Sequence, residues 1–591
     1  MLTLTSTFLK ILALLHVAQV VNADPTHVGP RSSVNGRWGL VQEGTSGVSA
    51  MQLAVVTDTK AIVFDKVEHN PLTVDGHPAW AAEIDLPSRT VRPLNPISNT
   101  FCATGSFLSN GTMVHTAGNP FFEVDIGVTD GISGTQSVRL FTPCDDASCD
   151  LIEDPNVRRL TSRRWYTTSA RLEDGSVFIY GGSTANGFIT NATINNPTYE
   201  FFPPKNINGY NGVQIPSQFL LDTLIANQFP NVLVLPDGNL FIAANQQAMI
   251  FNWKTNTETR LPNIPNGVRI SYPFSAGLTM LPLTPENNFT PEILTCGGAD
   301  LDDSLATGAY SSQSPTSNQC ARLVLTRQGI AAGWKVEHMP QNRTMVELIL
   351  LPDGRVLMVN GMSTGVGGYG TGVFDMINES NADHPVFTPL IYDPNAAPGR
   401  RFTVAPISSK IPRMYHSTAT LIPDGSILLA GSNPNSDVIF NVTYPTEYRM
   451  EFLSPPYMFR PRPTFTGLPA TLDYGATATV NVNLPRGTRS VTAVLMDLGF
   501  ATHGVHMDQR LVHLRSTLSR DGKTLRITGP ANPRIYSPGP GFLFIVTKDG
   551  VPSEGKRFLI GTGAQPPVDQ GAIENLLRAT ENLNSVAPLK H

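Results

Sequence analysis

The sequence predicts an all-β chain in two parts, a seven-bladed β-propeller followed by a smaller β-sandwich. Three observations predict it. Segments with an apolar run, a tight Asp-Gly turn and a second apolar run recur between residues 51 and 431; a proline-rich junction follows; short alternating strands resume beyond it. At 591 residues the chain is too long for one ordinary core, so a repeat array or a second domain is expected. Glycine (50) and proline (48) punctuate apolar runs instead of forming a low-complexity tract, which is the texture of short strands joined by tight turns.

The repeats come first. Thr168–Gly182, Asn231–Ala244, Val346–Gly361 and Ser417–Gly431 each carry Asp-Gly between β-rich runs. Phe101–Gly118 has Asn-Gly in the turn, and Met51–Asp65 and Ala276–Gly298 are looser copies. Asp-Gly and Asn-Gly favour hairpins because the turn needs positive φ. A lone hairpin cannot bury both faces, so such units stack around an axis as kelch-type blades, and seven copies make seven blades. The axis gathers loops from every blade, so residues distant in sequence can meet there.

The pattern stops near residue 450. Ser454-Pro455-Pro456-Tyr457 and Arg460-Pro461-Arg462-Pro463 read as a stiff linker, since proline fixes φ and removes donors. Thr464–Ile560 holds short strands such as Thr477–Val482 and Ser490–Leu495 with turns at Asp521-Gly522 and Asp549-Gly550, which suits an immunoglobulin-like sandwich. The expected division is a signal peptide over 1–23, the propeller over 24–455, the sandwich over 456–561 and a flexible tail over 562–591, in which Ile573–Leu583 has room for one or two amphipathic turns.

The first 23 residues read as an export signal: a largely apolar stretch, too short for a membrane span, ending in the small-residue site Val21-Asn22-Ala23. Sequons at Asn110, Asn191, Asn288, Asn342, Asn378 and Asn441 agree with a secreted, extracellular chain. Five cysteines include two close pairs, Cys144 with Cys149 and Cys296 with Cys320, that can close small loops. Cys102 is left over, to be intermolecular, buried and inert, or chemically engaged. Charged residues are 15% and the formal net charge is -5, which gives no nucleic-acid footprint; no later segment could span a bilayer, and nothing calls for an obligate oligomer, so a monomer is expected.

Cys102, Trp165-Tyr166 and Tyr415-His416 fall where inner strands begin, near the axis, and His503 lies in the loop Thr502-His503-Gly504-Val505-His506 of the sandwich. Two imidazoles and two phenolates form an N/O set that suits a tetragonal Cu(II) site. Each residue alone also has a plain packing explanation.

Together these segments carry a resemblance. Phe101-Cys102-Ala103, Arg164-Trp165-Tyr166, Arg413-Met414-Tyr415-His416-Ser417-Thr418-Ala419 and Thr502–Arg510 resemble the signature segments of fungal copper radical oxidases, in the family's order. Within the family the chain is more similar to glyoxal oxidases than to galactose oxidase. The resemblance implies one copper ion held by Tyr166, Tyr415, His416 and His503, a thioether between Cys102 and Tyr166 that stores a radical, and Tyr415 as base. His506 competes with His503, which is preferred because it follows the motif's threonine. No organic cofactor is implied; the substrates would be a small aldehyde such as glyoxal or methylglyoxal and O2, with H2O2 available to peroxide-using enzymes downstream. One departure stands out: galactose oxidase has a tryptophan after the Gly-Gly-Ser of this blade, whereas Gly181-Gly182-Ser183 is followed by Thr184, so a sugar-stacking platform is in doubt. Two other readings stay open, a related oxidase of primary alcohols and a non-catalytic kelch module that binds a glycan or protein.

Overall fold

The computed structural model describes residues 33–34, 38–128 and 132–583; the expected signal peptide lies outside them. Seven antiparallel blades of four strands follow one another along the chain, the last with a short fifth strand, Ser33–Val34, at its outer edge. Their inner strands are Gln52–Val55, Thr104–Phe107, Thr168–Arg171, Asn231–Val234, Ala276–Met280, Glu347–Leu350 and Ser417–Leu421, which begin blades I to VII. Each is followed by its predicted hairpin partner, for instance Thr168 opposite Tyr180 and Ser417 opposite Gly431.

Blade VII takes its fourth strand from the other end of the chain. Trp38–Thr45 pairs with Arg449–Ser454, with Leu40 opposite Leu453, and this closes the ring. Every inner strand is buried along its length, because neighbouring blades cover both of its faces.

Residues 464–560 form a sandwich of two sheets. One contains Thr464–Thr466, Thr477–Asn483, Thr524–Thr528 and Ser516–Leu518; the other contains Thr471–Leu472, Lys556–Ile560, Gly539–Thr547, Val491–Asp497 and Arg510–Leu514. Val480, Leu525 and Ile527 face Ala493, Leu495 and Leu543 across the core. The alternate side chains Val494, Met496, Phe542 and Phe544 pack instead against the propeller. Period-two alternation thus joins two cores through one sheet.

Between strands Val491–Asp497 and Arg510–Leu514 the sandwich extends a hairpin, Phe500–Thr502 and Val505–Met507, into the propeller. Phe500–Thr502 pairs antiparallel with Gln52–Val55, and Val505 pairs with Leu278 in parallel. Between them the two short strands touch the inner strands of all seven blades. The sandwich plugs the axis.

The stiff junction is anchored, and the expected loose tail is more ordered than the sequence reading allowed. The junction docks on blade VII, where the Tyr457 hydroxyl donates to Gly425 O at 2.7 Å and Arg462 Nη1 donates to Asp424 O at 2.5 Å. The expected loose tail carries a helix, Gln570–Ala579, capped by Asp569 and buried at Ala572 and Leu576. Arg159 Nη2 donates to Leu577 O and Thr580 O, both at 2.8 Å, so a guanidinium of blade II satisfies the helix's free C-terminal carbonyls. The disulfides Cys144–Cys149 and Cys296–Cys320 are formed, and Cys102 is free and buried.

Candidate metal centre

The site is built from a repeated backbone position. In blades II, III, IV, VI and VII the residue nine places before the turn glycine has left-handed φ: Cys102 (51°), Tyr166 (57°), Phe229 (48°), Met345 (54°) and His416 (63°). A non-glycine residue pays strain there, typically about 1–3 kcal/mol, and holds it only when neighbours enforce it. Here neighbouring blades do so, since Tyr166 N donates to Cys102 O at 3.2 Å and Phe229 N to Tyr166 O at 2.9 Å. The geometry turns five side chains towards the axis.

His503 arrives from the opposite end. It occupies the first central position of the axial hairpin's two-residue turn, with φ of 53° followed by 79° at Gly504, the pattern of a tight hairpin with both central residues left-handed. The Thr502 hydroxyl has one proton, which it donates to Met51 O (3.3 Å). It therefore accepts from His503 Nδ1 at 2.6 Å. That fixes the tautomer and leaves Nε2 with a lone pair for a metal. His506, the competitor, sits elsewhere: its Nε2 meets Leu498 O at 2.8 Å.

The predicted residues come together. Cys102 Sγ lies 3.2 Å from His503 Nε2 and 3.8 Å from His416 Nε2, and these three atoms form a compact buried group of possible metal ligands. The Tyr166 and Tyr415 hydroxyls hydrogen-bond each other directly. The Tyr415 ring stacks on His416 at 3.8 Å, and the His416 and His503 rings are nearly perpendicular at 5.0 Å. All five residues are buried.

Burial sets the electrostatics. It pushes the His503 imidazole down to about 3, and burial, then the neighbouring His503 and Lys66, holds His416 well below its ordinary value. Both rings are therefore neutral, the form that binds metals. Burial raises the Tyr166 and Tyr415 phenols well above the usual tyrosine value. Two phenols and two neutral imidazoles without a charge partner are a poor apolar core but a fitting N/O cradle for a cupric ion, whose charge would favour the phenolates.

Other residues complete the surroundings of the site. Three aromatic rings surround Tyr166: Trp165 at 4.5 Å, Tyr272 at 4.5 Å and Phe229 at 4.8 Å. Thr184 plays no such part, its hydroxyl donating to Ile194 O at 3.1 Å. Tyr369 stands 6.0 Å from the Tyr415 ring and 6.1 Å from His416. Phe229 and Met345 could have been found from the shared spacing to the turn glycine; Tyr272 and Tyr369 belong to loops with no repeat.

Fold and site thus define a β-propeller whose axis, plugged from below by a sandwich, carries a buried centre suited to a redox metal. Comparison with known proteins is consistent with this. The glyoxal oxidase N-terminus family model matches residues 47–457, and the galactose oxidase-like early set domain model matches 462–560. An aldehyde oxidase of Vitis pseudoreticulata is 33% identical over 555 residues, covering 88% of this chain and 96% of its own. One of Arabidopsis thaliana is 32% identical over 573 residues, covering 89% and 85%. The solved structure of a fungal alcohol oxidase of the AA5 family, in complex with copper, shares the fold with a TM-score of 0.66 at 19% identity, covering 89% of this chain and 99% of that one. The chain belongs to the glyoxal oxidase family of copper radical oxidases.

Proposed function

We propose that this protein oxidises small aldehydes, as their hydrates, to carboxylic acids while O2 is reduced to H2O2. The observation that carries the reading is the convergence of Cys102, Tyr166, Tyr415, His416 and His503 in one buried cluster on the axis. Tyr166, Tyr415, His416 and His503 would hold copper. When bound, the metal together with an oxidised Tyr166 supplies two oxidising equivalents, so no organic cofactor is needed.

The protein's own groups divide the remaining work. A thioether between Cys102 and Tyr166 would form by loss of the thiol hydrogen and one ring hydrogen, two electrons and two protons passing to O2. Sulfur on the ring makes a phenoxyl easier to form, and Trp165, Tyr272 and Phe229 keep water from it. Tyr415 Oη would take the proton of one hydrate hydroxyl, and oxidised Tyr166 Oη the hydrogen atom on carbon. The sum balances: RCH(OH)2 and O2 give RCOOH and H2O2. The two disulfides support an oxidising, extracellular setting, and no helix among the described residues is long and apolar enough to cross a membrane. Of the six sequon asparagines, Asn191, Asn288, Asn378 and Asn441 are exposed for glycosylation.

The test is peroxide release from copper-loaded protein given methylglyoxal, glyoxal, galactose and benzyl alcohol in parallel. Peroxide from the small aldehydes, lost in Cys102→Ser and Tyr166→Phe, is expected, with a cross-linked peptide lighter by two hydrogens in the wild type. Peroxide mainly from alcohols would overturn the substrate assignment, and none from any of them would return the binding-module reading.

A further inference from the structure

The mouth of the site is bridged from opposite sides of the ring. Residues 119–128 belong to the connection between the second and third strands of blade II, and the hairpin Met362–Tyr369 with Ser380–Pro385 occupies the same place in blade VI. Blades II and VI are three places apart in a ring of seven, the widest separation available. A side-chain contact between them has to cross the axis. Glu123 and Tyr369 make that contact: the Tyr369 hydroxyl donates to Glu123 Oε2 at 2.5 Å. The other oxygen, Oε1, accepts from Asn186 Nδ2 of blade III at 3.1 Å.

Both residues are half-buried, between solvent and the buried site. The Tyr369 ring faces Phe101, Tyr415 and His416 at 6.0–6.4 Å, so it stands beside the cluster that would hold copper. The blade VI hairpin is held in place by close packing, since a Cβ at Gly372 would lie 2.6 Å from Phe188 of blade III. A carboxylate offers about four acceptor positions, and two are used here. Lys66 lies 5.7 Å above the Tyr369 ring and feels the Glu123 charge, but it is ion-paired with Glu68 and donates to Ser436 O at 2.7 Å, so it offsets Glu123 only in part.

The geometry points to Glu123, positioned by Tyr369, as a substrate-selecting residue: it accepts hydrogen bonds from neutral substrates that present hydroxyl groups, geminal diols above all, and repels carboxylates. This rests on the aldehyde oxidase reading and deepens it, because the hydrate that enters is a neutral donor and the acid that leaves is an anion. One fixed charge would then favour substrate and expel product.

The test uses the copper-loaded full chain and two measurements. Acetate, an inert carboxylate, is titrated against the copper electron paramagnetic resonance signal, and steady-state rates are measured with methylglyoxal. Glu123→Gln should bind acetate about fivefold tighter and raise the methylglyoxal KM about tenfold, with kcat within about twofold. Tyr369→Phe, which keeps the ring wall but frees the carboxylate, should move both constants the same way by less, and Glu123→Asp should restore acetate exclusion. Unchanged acetate affinity and unchanged KM in Glu123→Gln would overturn the proposal. If the wild type oxidises no aldehyde, the functional reading fails by itself, while the acetate titration still decides whether Glu123 screens anions.

Discussion

At the scale of single residues, the site depends on side chains placed where their chemistry is unfavourable until a metal or partner arrives. Cys102, Tyr166, His416 and His503 are left-handed, buried and without countercharge. Glu347 is a second such case, on the inner strand of blade VI. It is buried without an ion partner, and the Gly504 backbone beside it only partly counters that burial. Burial pushes it from its ordinary 4.5 up to about 8. The folded state then keeps a proton that the unfolded chain releases above about pH 4.5. Stability contributed by this group is therefore full below about pH 4.5 and is lost as pH rises towards 8, at most about 5 kcal/mol in all. Thermal unfolding at pH 5 and pH 8 checks it: Glu347→Gln should gain stability relative to wild type at pH 8 and little at pH 5, and a gap independent of pH would refute the assignment.

At the scale of elements, the two blades that supply tyrosines share a buried clamp. In blade III, Arg164 Nε donates to Glu200 Oε1 (2.7 Å) and Nη1 to Gly181 O (2.8 Å). In blade VII, Arg413 Nε donates to Glu451 Oε2 (3.0 Å) and Nη1 to Gly431 O (2.9 Å). Each guanidinium ties the segment entering the inner strand to the second and third strands, just before Tyr166 or Tyr415. The shared Arg-x-Tyr of the two segments was legible in the sequence, but its reason was not, because each carboxylate lies on a strand more than thirty residues away. Removing one partner of a buried pair costs about 3–5 kcal/mol, whereas removing both can be nearly neutral. Glu451→Leu should lower the unfolding midpoint strongly, and Arg413→Leu/Glu451→Leu should recover part of it. Losses that simply add, the double variant losing the sum of Arg413→Leu and Glu451→Leu, would show that the pair is not a unit.

At the scale of the whole molecule, two long-range closures make the site possible. The strand Trp38–Thr45 completes blade VII, and the hairpin of residues 500–507 fills the axis. Deleting the chain through Thr45 would leave Arg449–Ser454 as an open edge, a template for aggregation. Size-exclusion chromatography of that truncation should show aggregates in place of a single folded species, and a folded monomer would mean that three strands suffice for blade VII. The axial hairpin has a chemical consequence as well. Because His503 is its tip, propeller and sandwich must dock before the proposed copper ligands can meet.

What the sequence determined by itself is local. Asp-Gly and Asn-Gly turns need positive φ, so five of the seven hairpins can be read one by one and the two looser copies by likeness to them, and the close cysteine pairs close their own short loops. Cys102, Tyr166, Tyr415, His416 and His503 stand in motifs adjoining those hairpins or turns. What only the tertiary structure decided is which loops meet across the ring. Tyr272, Tyr369 and Glu123 lie in insertions with no repeat, and His503 is separated from His506 by where the hairpin points, not by composition. The N-terminal strand found its partner about 400 residues away, and the C-terminal helix found carbonyl caps on blade II. Such pairings depend on the number and angle of the blades, a property of the closed ring that no single segment encodes.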